Sequence, residues 1–426
     1  MKKLLGIFVA AIAVLALSAT PALGKHGNTD LPFEETGSIG SALYRIVVPE
    51  DWNGKLIVDH HSYQGGGDPV LEPVPAESLL LEEGYAIAAS SYSVTGPETW
   101  KDAPKDTDPL VKLFKHRVGD PDRVILMGRL IGAVFVAKLI EQYPQTYDGG
   151  LVADFPGSGI TGIIDRFLAP QLAYDVAFGA ASGFQSSDWG TPGDLRDDLT
   201  FGADIAPIFI PQFFNPDNFG KLEFMRLVYG GLDDWYLTAD SGRPPAGIVS
   251  MAFLEFFASW EGLTGGTIQQ NADIVYTLQD DPAIADEVAY LSGLGIDANA
   301  LLAQMNATER TADPSARNYM AKYGDFSGNL RKPLLSLNIV RDSIVVPEHV
   351  TVYSEAVAAR GMSDNYVSVF VDQLGVISQT DTQYFKAVLA LDEWIETGVA
   401  PDPDDDDIFP AADGFAPGVV PGPWPF

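Results

Sequence analysis

Gly128-Arg129-Leu130-Ile131-Gly132 is the stretch on which the reading of this chain turns. Before it, Arg123-Val124-Ile125-Leu126-Met127 has the aliphatic run of a buried strand, and after it Ile131 to Tyr143 carries apolar residues at helical spacing. A strand that becomes a helix across two glycines is a sharp corner. Its central residue is held in a strained backbone conformation, with chain packed close on both sides. Gly128 and Gly132 supply the room. The central residue is Leu130, whose side chain is hydrocarbon.

Outward from this corner, strand and helix patterns alternate. Ala42 to Val48 and Lys55 to Asp59 read as strands, joined by the turn-rich Pro49-Glu50-Asp51-Trp52-Asn53-Gly54. A loop with Gly65-Gly66-Gly67 follows. Ala76 to Glu83 reads as a helix, ended by Gly84. Tyr85 to Ser91 is an apolar strand, Asp108 to His116 an amphipathic helix, and Gly150 to Asp154 another short strand. From residue 162 to 329 the alternation stops; the span is rich in Phe, Leu, Asp and Gly, with helical stretches at Met251–Trp260 and Ala285–Leu291. It reads as a cap inserted into the core. Leu334 to Ile339 and Tyr366 to Val371 resume the strands, Pro347 to Ala359 and Thr382 to Glu396 the helices. Residues 25–40 read as a polar, extended lead-in. The expected class is α/β: a doubly wound, mostly parallel sheet with helices on both faces and an inserted, mainly helical cap. The core comprises residues 25–161 and 330–400, and ligands are expected at the carboxyl ends of the strands.

The chain opens with Met1-Lys2-Lys3, an apolar run from Leu4 to Leu17, and small residues up to Gly24. This pattern over residues 1–24 is that of a secretory signal peptide, too short for a comfortable membrane span, and it predicts a secreted or periplasmic protein with no stable membrane anchor after cleavage. There is no cysteine, which excludes disulfides and thiol catalysis. The formal charge is −32, and removing Lys2 and Lys3 takes it to −34. Such a surface repels nucleic acid and anionic lipid. The tail 401–426 is acidic and rich in Pro and Gly, and is expected to pack as extended chain or to fray. Its run Asp404-Asp405-Asp406-Asp407, with Asp402, offers oxygens to Ca²⁺ but lacks the glycine and glutamate of an EF-hand loop; a solvated acidic tail is the plainer reading.

The chain resembles secreted bacterial α/β-hydrolases of the serine esterase and peptidase superfamily. The likeness is carried by Val48-Pro49-Glu50-Asp51-Trp52-Asn53-Gly54-Lys55-Leu56, by Gly84-Tyr85-Ala86-Ile87-Ala88-Ala89-Ser90-Ser91-Tyr92, and by the 128–132 corner with Glu141-Gln142-Tyr143-Pro144 behind it. It continues in Lys332-Pro333-Leu334-Leu335, Asp342-Ser343-Ile344-Val345-Val346-Pro347 and Trp394-Ile395-Glu396-Thr397-Gly398, and covers about 25–160 and 315–400. The resemblance implies a Gly-x-Ser-x-Gly nucleophile elbow at 128–132 and a triad in the order serine, acid, histidine. The serine position maps to Leu130. The acid maps to Asp342, for which a turn or helix-start carboxylate is the competing reading. The histidine position, in the loop after the last strand, maps to Val376. The oxyanion loop maps to His61-Ser62, with Tyr63 and Ile131 supplying the amides; Ser62 replaces a glycine there, Ala133 replaces a second glycine after the elbow, and Arg129 stands where histidine is common.

The histidines of the chain are His26, His60, His61, His116 and His349. His349 is expected to point away from the base position, His116 to lie at the surface, and Ser158, without an elbow, to be a loop serine. Adjacent His60 and His61 would face opposite sides of a strand, which disfavours a metal site, and no cofactor is expected. Losing a triad nucleophile or base costs about 10⁶-fold in kcat in the best-studied protease. Leu130 and Val376 would instead pack together, with Ile131 and Ile377 alongside, and line the cleft with apolar surface. Three readings stand: a ligand-binding pseudohydrolase for a small apolar or aromatic ligand, a living ester or amide hydrolase with relocated groups such as Ser62 with His60 or His61, and an inactivated variant of an active esterase.

Overall fold

The structure is a computed structural model, and it describes residues 30–179, 200–230, 246–281, 284–342 and 344–424. The expected signal peptide, residues 1–24, lies outside the described residues. The core is one eight-stranded sheet in the order β1-β2-β4-β3-β5-β6-β7-β8. Its strands are β1 (Phe33–Ile39), β2 (Ala42–Val48), β3 (Lys55–His60), β4 (Ala86–Ser90), β5 (Arg123–Arg129), β6 (Gly149–Ala153), β7 (Leu334–Arg341) and β8 (Tyr366–Leu374). β1 and β2 pair antiparallel, β2 pairs antiparallel with β4, and every pairing from β4 to β8 is parallel. β4, β5 and β6 are buried almost throughout because helices cover both faces, which is why they read as continuous apolar runs.

Each face has its own core. On one, Leu110 and Phe114 of helix Thr107–Arg117, Val136 and Ile140 of helix Ile131–Gln142, and Tyr353 and Val357 of helix Glu348–Ala359 pack on Leu56, Val58 and Leu126. On the other, Leu80 of helix Glu77–Glu82 and Tyr384, Val388 and Leu391 of helix Asp381–Thr397 pack on Ile57, Ile125 and Leu337. A third apolar cluster lies above the strand ends. There Phe167, Leu222, Phe257 and Trp260, from helices Gly159–Phe178, Phe219–Tyr229 and Ala246–Thr264, meet Tyr92, Phe135, Ile344 and Val345 of the core.

The structure makes two expectations specific. Part of the lead-in, Phe33–Ile39, is a full strand paired residue by residue with β2. It lies at the sheet edge with only alternate residues half-buried, so its polar sequence hides a role that its partner supplies. Of the two courses expected for the tail, it packs: Phe409 and Phe415 are buried in the second core, Phe415 bridges Val371, and the Ala416 amide donates to the Phe370 carbonyl at 2.8 Å. The acidic run turns inward on its own backbone. Asp402, Asp405 and Asp406 accept from the amides of Asp404, Asp407 and Ala411. Among the described residues no group of three or more His, Cys, Asp or Glu could hold a metal ion, and no helix is long and apolar enough to cross a membrane.

Candidate functional site

β5 runs straight into helix Ile131–Gln142, and Leu130 is the single residue at the corner, with φ 50° and ψ −114°. Such a conformation is strained for leucine and survives only because the surroundings dictate it. They do so through the two glycines. A Cβ on Gly132 would lie 2.0 Å from the His60 carbonyl oxygen, and one on Gly128 would lie 2.5 Å from the Gly132 carbonyl oxygen. The helix start is thus clamped against the end of β3. This is the α/β-hydrolase fold.

Arg129, just before the corner, is buried and ties the elbow to the loop after β3. Its guanidinium donates to Asp59 at 3.2 Å, to Glu72 at 2.9 Å and to the Pro73 carbonyl at 3.3 Å. Burial raises the Asp59 carboxyl to about 6 even though Arg129 pulls it down.

Above the elbow is a cavity of about 210 Å³ lined by Ser62, Tyr63, Leu130, Ile131, Phe256, Trp260 and Val345, among others. Its walls are nearly all carbon. Tyr63 meets Phe256 and Trp260 edge to face, with centroids 5.2 and 6.1 Å apart. Tyr63 and Ile131, whose amides the resemblance assigns to the oxyanion, both line this cavity. The histidines of the same loop are occupied elsewhere. His60 is fully buried, bonds the Thr107 hydroxyl at 2.8 Å, and is pushed down to about 4 by burial. His61 lies against the Tyr92 ring, with Nδ1 2.6 Å from the Ser62 carbonyl oxygen and 3.6 Å from Glu72. Both rings approach Tyr92, at 6.5 Å for His60 and 4.1 Å for His61, and β3 ends at His60, so the expected alternation across a strand does not separate them.

Asp342 lies just past β7. One carboxylate oxygen accepts from the amides of Ile344 at 2.6 Å and Val345 at 2.9 Å; the other is buried with no hydrogen-bond partner among the described residues. Asp342 is therefore a turn carboxylate and also holds an unused acceptor at the acid position. Burial, and then the neighbouring Asp154, raise its carboxyl well above the ordinary range. Val376 packs on the same apolar cluster as Leu130 and Ile131. Ile377 does not join them: it stands 42% exposed at φ 51°, because its amide is drawn to Asp154 at 2.6 Å.

The sequence reading missed Asp154, which it absorbed into the strand 150–154. Asp154 ends β6 at φ 44°, is 1% exposed, and accepts from the Ile377 amide and the Gln379 side chain. Burial pushes it to about 7. A polar residue ending an otherwise apolar strand was the available signal. Ser158 stands in the turn before helix Gly159–Phe178 and His349 is turned toward it: the hydroxyl and Nδ1 are 2.7 Å apart, a contact the sequence reading did not foresee. His116 is exposed in the last turn of its helix, as expected, and His26 lies outside the described residues.

No family model matches the chain. It is similar to an o-phthalyl amidase of Xanthobacter agilis, at 24% identity over 88% of this chain and 90% of that one. Among solved structures it is similar to an acylaminoacyl peptidase of Pyrococcus horikoshii, with a TM-score of 0.41 and 10% identity over 88% of this chain and 43% of that one. An esterase of Aspergillus oryzae gives a TM-score of 0.40 at 12% identity, covering 86% and 80% of the two chains. An esterase of Pyrococcus furiosus gives 0.39 at 13%, covering 85% and 87%. The chain spans less than half the length of the peptidase.

Proposed function

We propose that this chain is a pseudohydrolase that binds a small apolar or aromatic ligand above the elbow and does not hydrolyse it there. One observation carries the reading: the apex of the elbow, where an attacking atom would stand, is held by Leu130. The imidazole position supports it, since Val376 is hydrocarbon too and one Asp342 oxygen has no hydrogen-bond partner among the described residues. An apolar cavity with aromatic walls takes a ligand by burial of carbon surface, at about 25 cal/mol per Å². The name of the Xanthobacter relative points to an aromatic acyl amide, so small aromatic amides and esters are the first ligands to try.

Titration calorimetry and melting with phthaloyl and benzoyl amides test this. A ligand at about 100 times its Kd stabilises the folded state by about 2.7 kcal/mol, a shift that melting resolves. Trp260→Ala should weaken binding about tenfold or more. No binding by any of these amides, or hydrolysis at enzyme-like rates that vanishes in Ser62→Ala, would reject the reading. The double variant Leu130→Ser/Val376→His asks the converse question. Recovered esterase or amidase turnover is the expected outcome, supported by Tyr63, Leu130 and Ile131 lining one cavity and by the buried carboxyl of Asp342.

A further inference from the structure

Ser158 stands immediately before helix Gly159–Phe178, in the capping position. A serine at a helix start normally turns its oxygen back to accept from the second or third amide of the helix. Here it makes no such bond. The Thr161 amide is met by Asp325 instead, at 3.0 Å. The freed hydroxyl lies 2.7 Å from Nδ1 of His349, while its other acceptor, the Gly159 carbonyl, is 3.3 Å away. A local preference broken at a side chain with a hydrogen-bonded base is where function is found more often than elsewhere. The imidazole is fully buried, with the Trp424 ring 4.4 Å from its own. Burial first, and the Arg166 charge second, hold it well below the ordinary histidine range, so the ring meets the hydroxyl as a neutral, weak base. The hydroxyl opens on a separate cavity of about 260 Å³, lined by polar groups including Asp165, Asn271 and Arg317. None of its lining residues lines the cavity above Leu130.

We propose that Ser158 is a second, independent nucleophile with His349 as its base, and that it is acylated by small activated esters. The Ser158 Oγ bonds to the acyl carbon as its proton passes to His349 Nδ1. The bond from that carbon to the aryl oxygen breaks, and its electron pair leaves on the phenolate, which takes the proton from the imidazolium directly or through water. Water later releases the acid and restores the hydroxyl. The environment sets the substrate class. Nε2 of His349 has no partner among the described residues, so no carboxylate steadies the imidazolium, and Arg166 opposes its charge. Only a leaving group that departs as a stable anion suits such a base; amides and alkyl esters do not.

Stopped-flow mixing of the full chain with p-nitrophenyl acetate tests this, with peptide mass mapping of the quenched protein. The expected result is a burst of about one p-nitrophenolate per chain followed by slow turnover, with the acetyl group on Ser158. Ser158→Ala, a small change at a half-buried site, should abolish the burst while the melting curve is kept. His349→Gln should slow acylation about 10²-fold or more. No burst, an acetyl group on any other residue, or an unchanged burst in Ser158→Ala overturns the proposal. None of these outcomes touches the reading of the elbow, whose own controls are Ser62→Ala and ligand binding.

Discussion

Gly132 leaves no space for even one carbon, since the atom it would meet is the rigid backbone oxygen of His60 at 2.0 Å. Gly132→Ala should therefore cost about 1–3 kcal/mol, the usual range for overpacking, and lean to the upper end. A urea titration with an unchanged m-value would read it as a lower midpoint. Arg129 makes a different kind of tie, because its partner Asp59 is only 3% exposed. Arg129→Met strands that carboxylate, at about 3–5 kcal/mol. Since Asp59 already sits near 6, the loss should shrink at pH 5, where the carboxyl takes a proton and no longer needs a cation. Equal losses at pH 5 and pH 8 would show that charge is not the cause. At this scale the sequence was informative where a residue is constrained by its own neighbours. The glycines at 128 and 132 announced the corner. The Ser158–His349 contact was invisible, because its two members lie 191 residues apart and neither stands in a motif.

Among the elements, the C-terminal segment is the one whose role sequence could not reveal. Read by composition, residues 401–426 are an acidic tail, rich in Pro and Gly, that either packs as extended chain or frays. In the fold, Phe409 and Phe415 fill the space between β8 and helix Asp381–Thr397. Phe415→Ala should cost about 3–5 kcal/mol, the range for a buried phenylalanine truncated to a methyl, and a melting scan will show it. A cost near zero would mean that the segment is only laid on the surface. β1 teaches the same lesson from the other end of the chain. Its seven residues hold only two large apolar side chains, and the strand exists because β2 offers a ladder of unpaired backbone groups. Strands β3 to β7 needed no such help to be recognised. Covered on both faces, they are mainly apolar, with polar residues such as Asp59, His60 and Arg129 toward their carboxyl ends.

Across the whole molecule, the buried ionisable groups make stability depend on pH in a defined sense. Burial raises Asp59 and Asp165 to about 6 and Asp154 to about 7, and it lifts Asp342 further. A raised acid binds its proton more tightly folded than unfolded, so its contribution is lost as pH rises through the folded value. Burial lowers His60, His61 and His349, which act in the opposite sense, but only below about pH 6.5, where an unfolded histidine is charged. The two sets offset each other from about pH 4 to 6, and above that the acids act alone. The melting temperature should change little from pH 5 to 6 and then fall from pH 6.5 to 8. The net charge of −32 adds to the fall by self-repulsion. In Asp154→Asn the slope above pH 6.5 should flatten, and a melting temperature that climbs over that range would contradict the assignment.

The sequence by itself determined the alternation of strand and helix, the elbow between two glycines, and the hydrocarbon at its apex, because each is written in local periodicity, in steric permission, or in the identity of one side chain. Tertiary structure alone decided what surrounds them: the aromatic walls of the cavity, the pairing of Asp154 with the loop that carries Val376, the strand at one edge, the tail on the second core, and the serine turned to a distant histidine. Those depend on which segments meet in space. Such contacts are set by the packing of two sheet faces and the helices above them, and no window of neighbouring residues contains them.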